Sequence, residues 1–272
     1  VGYGQFAGRH SIEIIGEDNM KKLLIIALAI GVISTGLWAQ NPKDIVKKCI
    51  AKIGGEEAIK RYFDMSGEGQ LSVTYGTMKL SGKIKLTQKG RKSRVRVEIN
   101  LRGTPFVVLR AYDGKVAWLE QMGNISDQPA LNSESDLDHT LNLLLEKDAK
   151  LTLAKSTEIE GKKVTGVEVE FKGKKTLFYF DNETFLPMEI VFKDQYFGAQ
   201  NTKEMIERRS RLANYKKINN ILFPMKRVDF QKGKKLMEID FEKVVFNPAV
   251  SADIFKRPDQ PLDLRYMEEM IN

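Results

Sequence analysis

The sequence predicts a single α+β domain built on a large antiparallel sheet. Three observations carry that reading. Apolar and polar residues alternate with period two over much of 67–246, and short turns rich in Gly, Asn and Asp separate the alternating runs. Helical periodicity is confined to the start of the chain, one internal stretch and a short tail. Roughly ten strands are expected, and no low-complexity linker divides residues 40–272.

Residues 1–19 show no sustained period and are expected to be an upstream extension outside the fold. Met20-Lys21-Lys22 then opens a basic segment, followed by apolar Leu23–Ile33 and the smaller residues Ser34–Ala39. This is the pattern of a secretory signal peptide, spanning 20–39 and cleaved near Ala39. The apolar run is shorter than the ~20 residues that a spanning helix needs. The folded domain is expected to occupy 40–272.

Pro42–Ile53 reads as an amphipathic helix, with Ile45, Cys49 and Ile53 on one stripe and Lys43, Lys47, Lys48 and Lys52 facing away. Gly54-Gly55 ends it, and Glu56–Tyr62 begins a second short helix with acids in its first turn. Cys49 is the only cysteine, so no internal disulfide forms. On an apolar stripe, with no His or Cys partner in view, it reads as a small buried hydrophobe.

Period two takes over from Gly67. Leu71, Val73 and Tyr75 share a face, as do Met78, Leu80, Ile84 and Leu86, and then Val95, Val97, Ile99 and Leu101. Gly82 interrupts the second of these runs and predicts a bend or bulge. Phe106–Tyr112 leads through Asp113-Gly114 into Val116–Leu119. Residues 123–135 read as loop, and Ser135 as the cap of a helix over Asp136–Lys147, with Leu141 and Leu144 on its apolar side. Strands then resume at Leu151–Ala154 and Val164–Phe171. They continue at Tyr215–Ile218, Leu222–Phe230 and Leu236–Phe246, with turns at Glu160-Gly161, Lys172-Gly173, Asn219-Asn220 and Lys232-Gly233. The charged run Lys203–Arg211 has no legible period, and Asp263–Ile271 reads as a short terminal helix.

The stretch Lys175–Phe192 is the clearest hairpin. Two runs rich in aromatic and β-branched residues flank Asp181-Asn182-Glu183-Thr184, with Pro187 at the start of the second strand. Leu177 and Tyr179 point one way, Phe178 and Phe180 the other. Both faces are apolar, which predicts cover by other elements on both sides.

The formal charge is +8, all of it arising beyond residue 39, yet acids and bases are interspersed there. That is a solvated surface rather than a nucleic-acid footprint. The basic run Arg91–Arg96 reads first as an outward strand face and second as a contact for phosphate head groups. His10 and His139 are the only histidines, and no nucleophile elbow, metalloprotease or phosphate-loop motif is present. The chain is read as non-enzymatic, with no metal and no cofactor.

Several segments, in order, resemble the periplasmic proteins similar to the outer-membrane lipoprotein carrier LolA. These are Cys49–Lys60 with its Gly-Gly between two helices, Ala111-Tyr112-Asp113-Gly114-Lys115-Val116-Ala117-Trp118, and Phe178-Tyr179-Phe180-Asp181 followed by Phe185-Leu186-Pro187. Tyr215–Pro224 repeats that last pattern, and Phe246-Asn247-Pro248 with Phe255-Lys256-Arg257-Pro258 resembles the family's closing strand and exit. In true carriers an arginine ahead of a proline helps hold the cavity shut; here Thr87-Gln88-Lys89-Gly90-Arg91 carries neither in register.

The resemblance implies an incomplete, curved antiparallel barrel of about ten to eleven strands, with helices covering its open side and an apolar cavity between them. Its expected lining is Leu71, Val73, Leu80, Ile84, Val97, Ile99, Phe106, Val108, Trp118, Leu141, Leu144, Tyr179, Met188 and Phe192. The implied function is periplasmic carriage or binding of a lipoprotein, lipid or other apolar ligand, with peripheral rather than integral membrane contact. The alternative on the same scaffold is an envelope-stress sensor or interaction module with a protein partner.

Overall fold

The computed structural model describes residues 41–61, 64–101, 103–128, 141–195 and 205–258. The signal-like segment, the start of the helix expected over 136–147, His139, residues 196–204 and the expected tail helix lie outside the described residues. Among those described, no helix is long and apolar enough to cross a membrane.

Helix α1 (Pro42–Ile53) starts at Asn41, whose side chain accepts the Lys43 N–H at 3.0 Å, and ends at Gly54 with φ 127°. Its stripe of Ile45, Val46, Cys49 and Ile53 is buried. Helix α2 (Glu56–Arg61) buries Ala58 and Ile59. Burial pushes the Cys49 thiol far up, which keeps it protonated and inert.

Thirteen strands form one antiparallel sheet: β1 (Asp64–Tyr75), β2 (Met78–Lys89), β3 (Lys92–Leu101), β4 (Thr104–Tyr112), β5 (Ala117–Gln121), β6 (Asn124–Gln128), β7 (Lys150–Ile159), β8 (Lys162–Phe171), β9 (Lys174–Asp181), β10 (Pro187–Gln195), β11 (Met205–Ile218), β12 (Ile221–Gln231) and β13 (Lys234–Phe246). Two meanders, β1 to β6 and β7 to β13, join side by side where β1 pairs with β13. The edges are β6 and β7, and the sheet is not closed into a barrel. Both residues of the turns at Glu160-Gly161, Lys172-Gly173, Asn219-Asn220 and Lys232-Gly233 have positive φ, the geometry that two-residue hairpins favour.

The strand count exceeds the ten or eleven expected, and one strand is longer than expected. Asn124–Gln128, read as loop because it is polar, is an edge strand with little to bury. The described part of the charged run, 205–211, belongs to β11, a strand of 14 residues. Its period was hidden because Arg208 and Ser210 face inward among apolar residues.

Opposed residues of an antiparallel pair share a face, so the registers assign every strand residue to one side. The inner face carries the main core, where α1, α2, Leu141 and Leu144 pack on Val167, Val169, Phe178, Phe180, Ile190, Leu212, Phe223 and Phe246. Leu143–Leu145 forms a 3-10 turn. One face of the β9–β10 hairpin is thus buried, as expected. Leu177, Tyr179 and Val191 on the other face are half-buried and lie next to charged side chains such as Arg209 and Glu168.

Candidate functional site

The inner face continues past the main core onto β1–β4. Gly82 sits opposite Leu71 on one side and Ile99 on the other. There is no register shift at Gly82; instead the strands approach so closely that a Cβ there would lie 2.0 Å from the Glu98 carbonyl oxygen. The bulge lies in β13, where Glu242 is the extra residue between Phe241 opposite Gly69 and Lys243 opposite Glu68.

Eight of the expected lining residues fall on this inner surface. Ile84, Val97 and Val108 oppose one another across β2, β3 and β4, as do Ile99 and Phe106, while Leu80 opposes Val73 and Leu71 lies between Ile239 and Gly82. Leu71, Ile84 and Ile239 are buried, and Val73, Val95, Val97, Met237 and Phe241 pack around them half-buried. Among the described residues, this cluster contains no helical side chain, and this apolar sheet face is only partly sheltered from water.

The other expected residues go elsewhere. Leu141 and Leu144 belong to the main core, with Phe192 packed half-buried against it. Met188 is half-buried at the register shift between β9 and β10. Tyr179 opposes Glu189 on the outer face. Trp118 is also on the outer face: it opposes Ala111, clusters with Leu109 and Ile125, and donates its indole N–H to the Phe255 carbonyl at 3.1 Å. In a strand apolar on both sides, composition does not tell one face from the other.

The inner face also holds a polar group that the sequence reading missed. Leu80, Val73, Met237, Asp229, Ser210, Ile190, Phe178 and Val167 stand in one row across β2, β1, β13, β12, β11, β10, β9 and β8. All but Asp229 and Ser210 are apolar. Asp229 is 1% exposed. Its Oδ1 accepts from Ser210 Oγ at 2.6 Å and from Arg227 Nε at 2.8 Å, while Arg208 Nη2 lies 4.0 Å from Oδ2. The available signal was the alternation Ile221, Phe223, Met225, Arg227, Asp229, in which charge takes over the apolar face of β12.

On the outer face, a cleft of about 720 Å³ lies between β1–β5 and the segment Asp253–Pro258. Lys83, Lys85, Arg94 and Arg96 line it, so half of the basic run Arg91–Arg96 points here. Acids match much of this charge: Lys85 with Glu68 at 2.7 Å, Arg96 with Glu98 at 2.6 Å, and Arg257 with Asp127 at 2.8 Å. The cleft is charged but internally paired. Among the described residues, no group of three His, Cys, Asp or Glu side chains is placed to hold a metal.

No family model matches the sequence, and no curated protein matches it. Solved structures do match in fold. A DUF1329 family protein from Desulfovibrio piger aligns over 80% of this chain and 98% of its own, at 12% identity and TM-score 0.52. A LolA superfamily protein from Nitrosomonas europaea aligns over 80% and 98%, at 13% identity and TM-score 0.51. A domain named for outer membrane lipoprotein sorting, from Vibrio parahaemolyticus, aligns over 79% and 95% at 12% identity, with a TM-score of 0.49. Identities this low speak for architecture alone, and the architecture is LolA-like.

Proposed function

We propose that this chain is a non-enzymatic envelope protein that binds or carries a lipid, an acylated protein or another apolar ligand. The observation that carries the reading is the half-sheltered apolar inner face of β1–β4 and β13, next to a core already filled by α1 and α2. Burying an acyl chain there gains ~0.8 kcal/mol per CH₂ removed from water. The seat would be formed by Leu71, Val73, Leu80, Ile84, Val97, Ile99, Phe106 and Val108; Trp118 and Tyr179, on the outer face, are not part of it. The signal-like segment 20–39 supports export to the periplasm, and the LolA-like fold supports carriage rather than chemistry.

The test is titration of the exported protein with a fluorescent fatty-acid ester, together with mass spectrometry of an organic extract of the purified protein. Saturable binding is expected. Val97→Asp, which puts a charge on the apolar seat, is expected to weaken it about tenfold or more with the fold retained by circular dichroism. Absence of binding by any lipid overturns the reading.

A further inference from the structure

The row of opposed residues crossing the inner face poses a physical question. A carboxylate set among Met237, Ile190 and Phe178 loses its hydration, and an apolar pair of similar volume in place of a buried ion pair is often neutral or stabilising. Asp229 recovers part of that cost through Ser210 and Arg227, both of which bond Oδ1. Oδ2 is buried and accepts no hydrogen bond among the described residues. Arg208 Nη2, 4.0 Å from Oδ2, pairs with it electrostatically but lies beyond hydrogen-bond range. A buried carboxylate oxygen without a donor is costly, and a donor brought by something else would relieve it.

Position says what that donor belongs to. Asp229 adjoins Met237 on β13, and from there its row is apolar through Val73 to Leu80 on β2, beside the neighbouring apolar rows of Ile84 with Val97 and Val108, and of Ile99 with Phe106, that reach β4. Five strand-to-strand spacings of about 4.8 Å separate β12 from β4, about 24 Å of sheet width and within the reach of a long acyl chain. The polar group therefore marks one end of an apolar track.

We propose that the ligand is an amphiphile whose polar end carries an O–H or N–H donor, which Asp229 Oδ2 accepts while the chain lies along β13 to β4. This rests on the reading of the inner face as a ligand seat and adds to it the chemistry of the ligand's head. Ser210 and Arg227 act as positioning residues, holding Oδ1 so that Oδ2 is presented to the head.

The experiment compares two probes with the same chain, oleyl alcohol and oleyl methyl ether, each displacing a fluorescent fatty-acid ester from the exported protein. Both have an ether-type or hydroxyl oxygen able to accept, and only the alcohol donates. The alcohol is expected to bind at least about tenfold more tightly, the value of one hydrogen bond to a charged acceptor. Asp229→Asn, checked for an unchanged circular dichroism spectrum, is expected to shrink that preference severalfold. Equal binding of the two probes to the unaltered protein overturns the inference and leaves the ligand seat standing. Failure of both probes to bind removes the seat and the inference together.

Discussion

Asp113 and Asp181 perform the same task at two turns. Asp113 Oδ1 accepts the N–H groups of Lys115 and Val116, each at 2.7 Å, and Asp181 Oδ1 accepts those of Glu183 and Thr184 at 2.8 and 2.9 Å. Burial by itself would raise both carboxyls, but the backbone donors, with nearby lysines, outweigh it and hold both below the usual carboxylate range. A group shifted this way stabilises the fold above its unfolded pKa of ~4 and loses that contribution as the pH falls through the lowered folded value. Asp181→Asn keeps one acceptor oxygen and removes the charge. Its thermal midpoint is expected to fall less steeply below pH ~4 than that of the unaltered protein, as read by calorimetry across an acid series. Gly82 makes a separate residue-scale demand: Gly82→Ala places a methyl against the Glu98 carbonyl and is expected to cost about 1–3 kcal/mol in urea unfolding.

Among elements, the 3-10 turn Ala252–Phe255 has the clearest single role. Phe255 is fully buried and its carbonyl accepts a hydrogen bond from the Trp118 indole N–H, so this turn is fastened to the outer face of β5. Phe255→Ala is expected to destabilise by about 3 kcal/mol. Because Trp118 is the only indole among the described residues, the loss should appear as a red-shifted emission with easier acrylamide quenching. Unchanged emission would mean that the turn does not cover the ring. Helix α1, the two-residue turns and most strands were legible because one local rule, a period or a turn residue, decides each of them. The strand Asn124–Gln128 and the charged start of β11 were not, since β6 has little to bury and the inward residues of β11 include Arg208 and Ser210. Sidedness was only partly legible: alternation grouped Leu71 with Val73 and Val97 with Ile99, while Trp118 and Tyr179 needed the registers to reveal that they face outward.

At the scale of the molecule, the two halves of the inner face are treated differently. Behind β8–β12 it is filled by α1, α2 and Leu141–Leu144, whereas on β1–β4 it is apolar with half-buried side chains. The polar group around Asp229 lies where these regions meet, and only tertiary pairing brings Arg208 and Ser210 beside Arg227 and Asp229. Nothing local in the sequence shows that juxtaposition, although the break in the alternation of β12 marks half of it.

The seam between β1 and β13 has a consequence for how the chain reaches its shape. Within each meander every pairing is a hairpin, which forms early at small entropic cost, but Met65 must find Phe246 across almost the whole sequence. The seam is therefore expected to close late and slowly in folding, and until it closes β1 and β13 each present an unpaired edge. In a chain that emerges from its N-terminal end, β1 is the first of the described strands to be delivered, long before its partner β13. During that interval it is exposed to wrong partners, and an acceptor of nascent chains in the same compartment would engage it there.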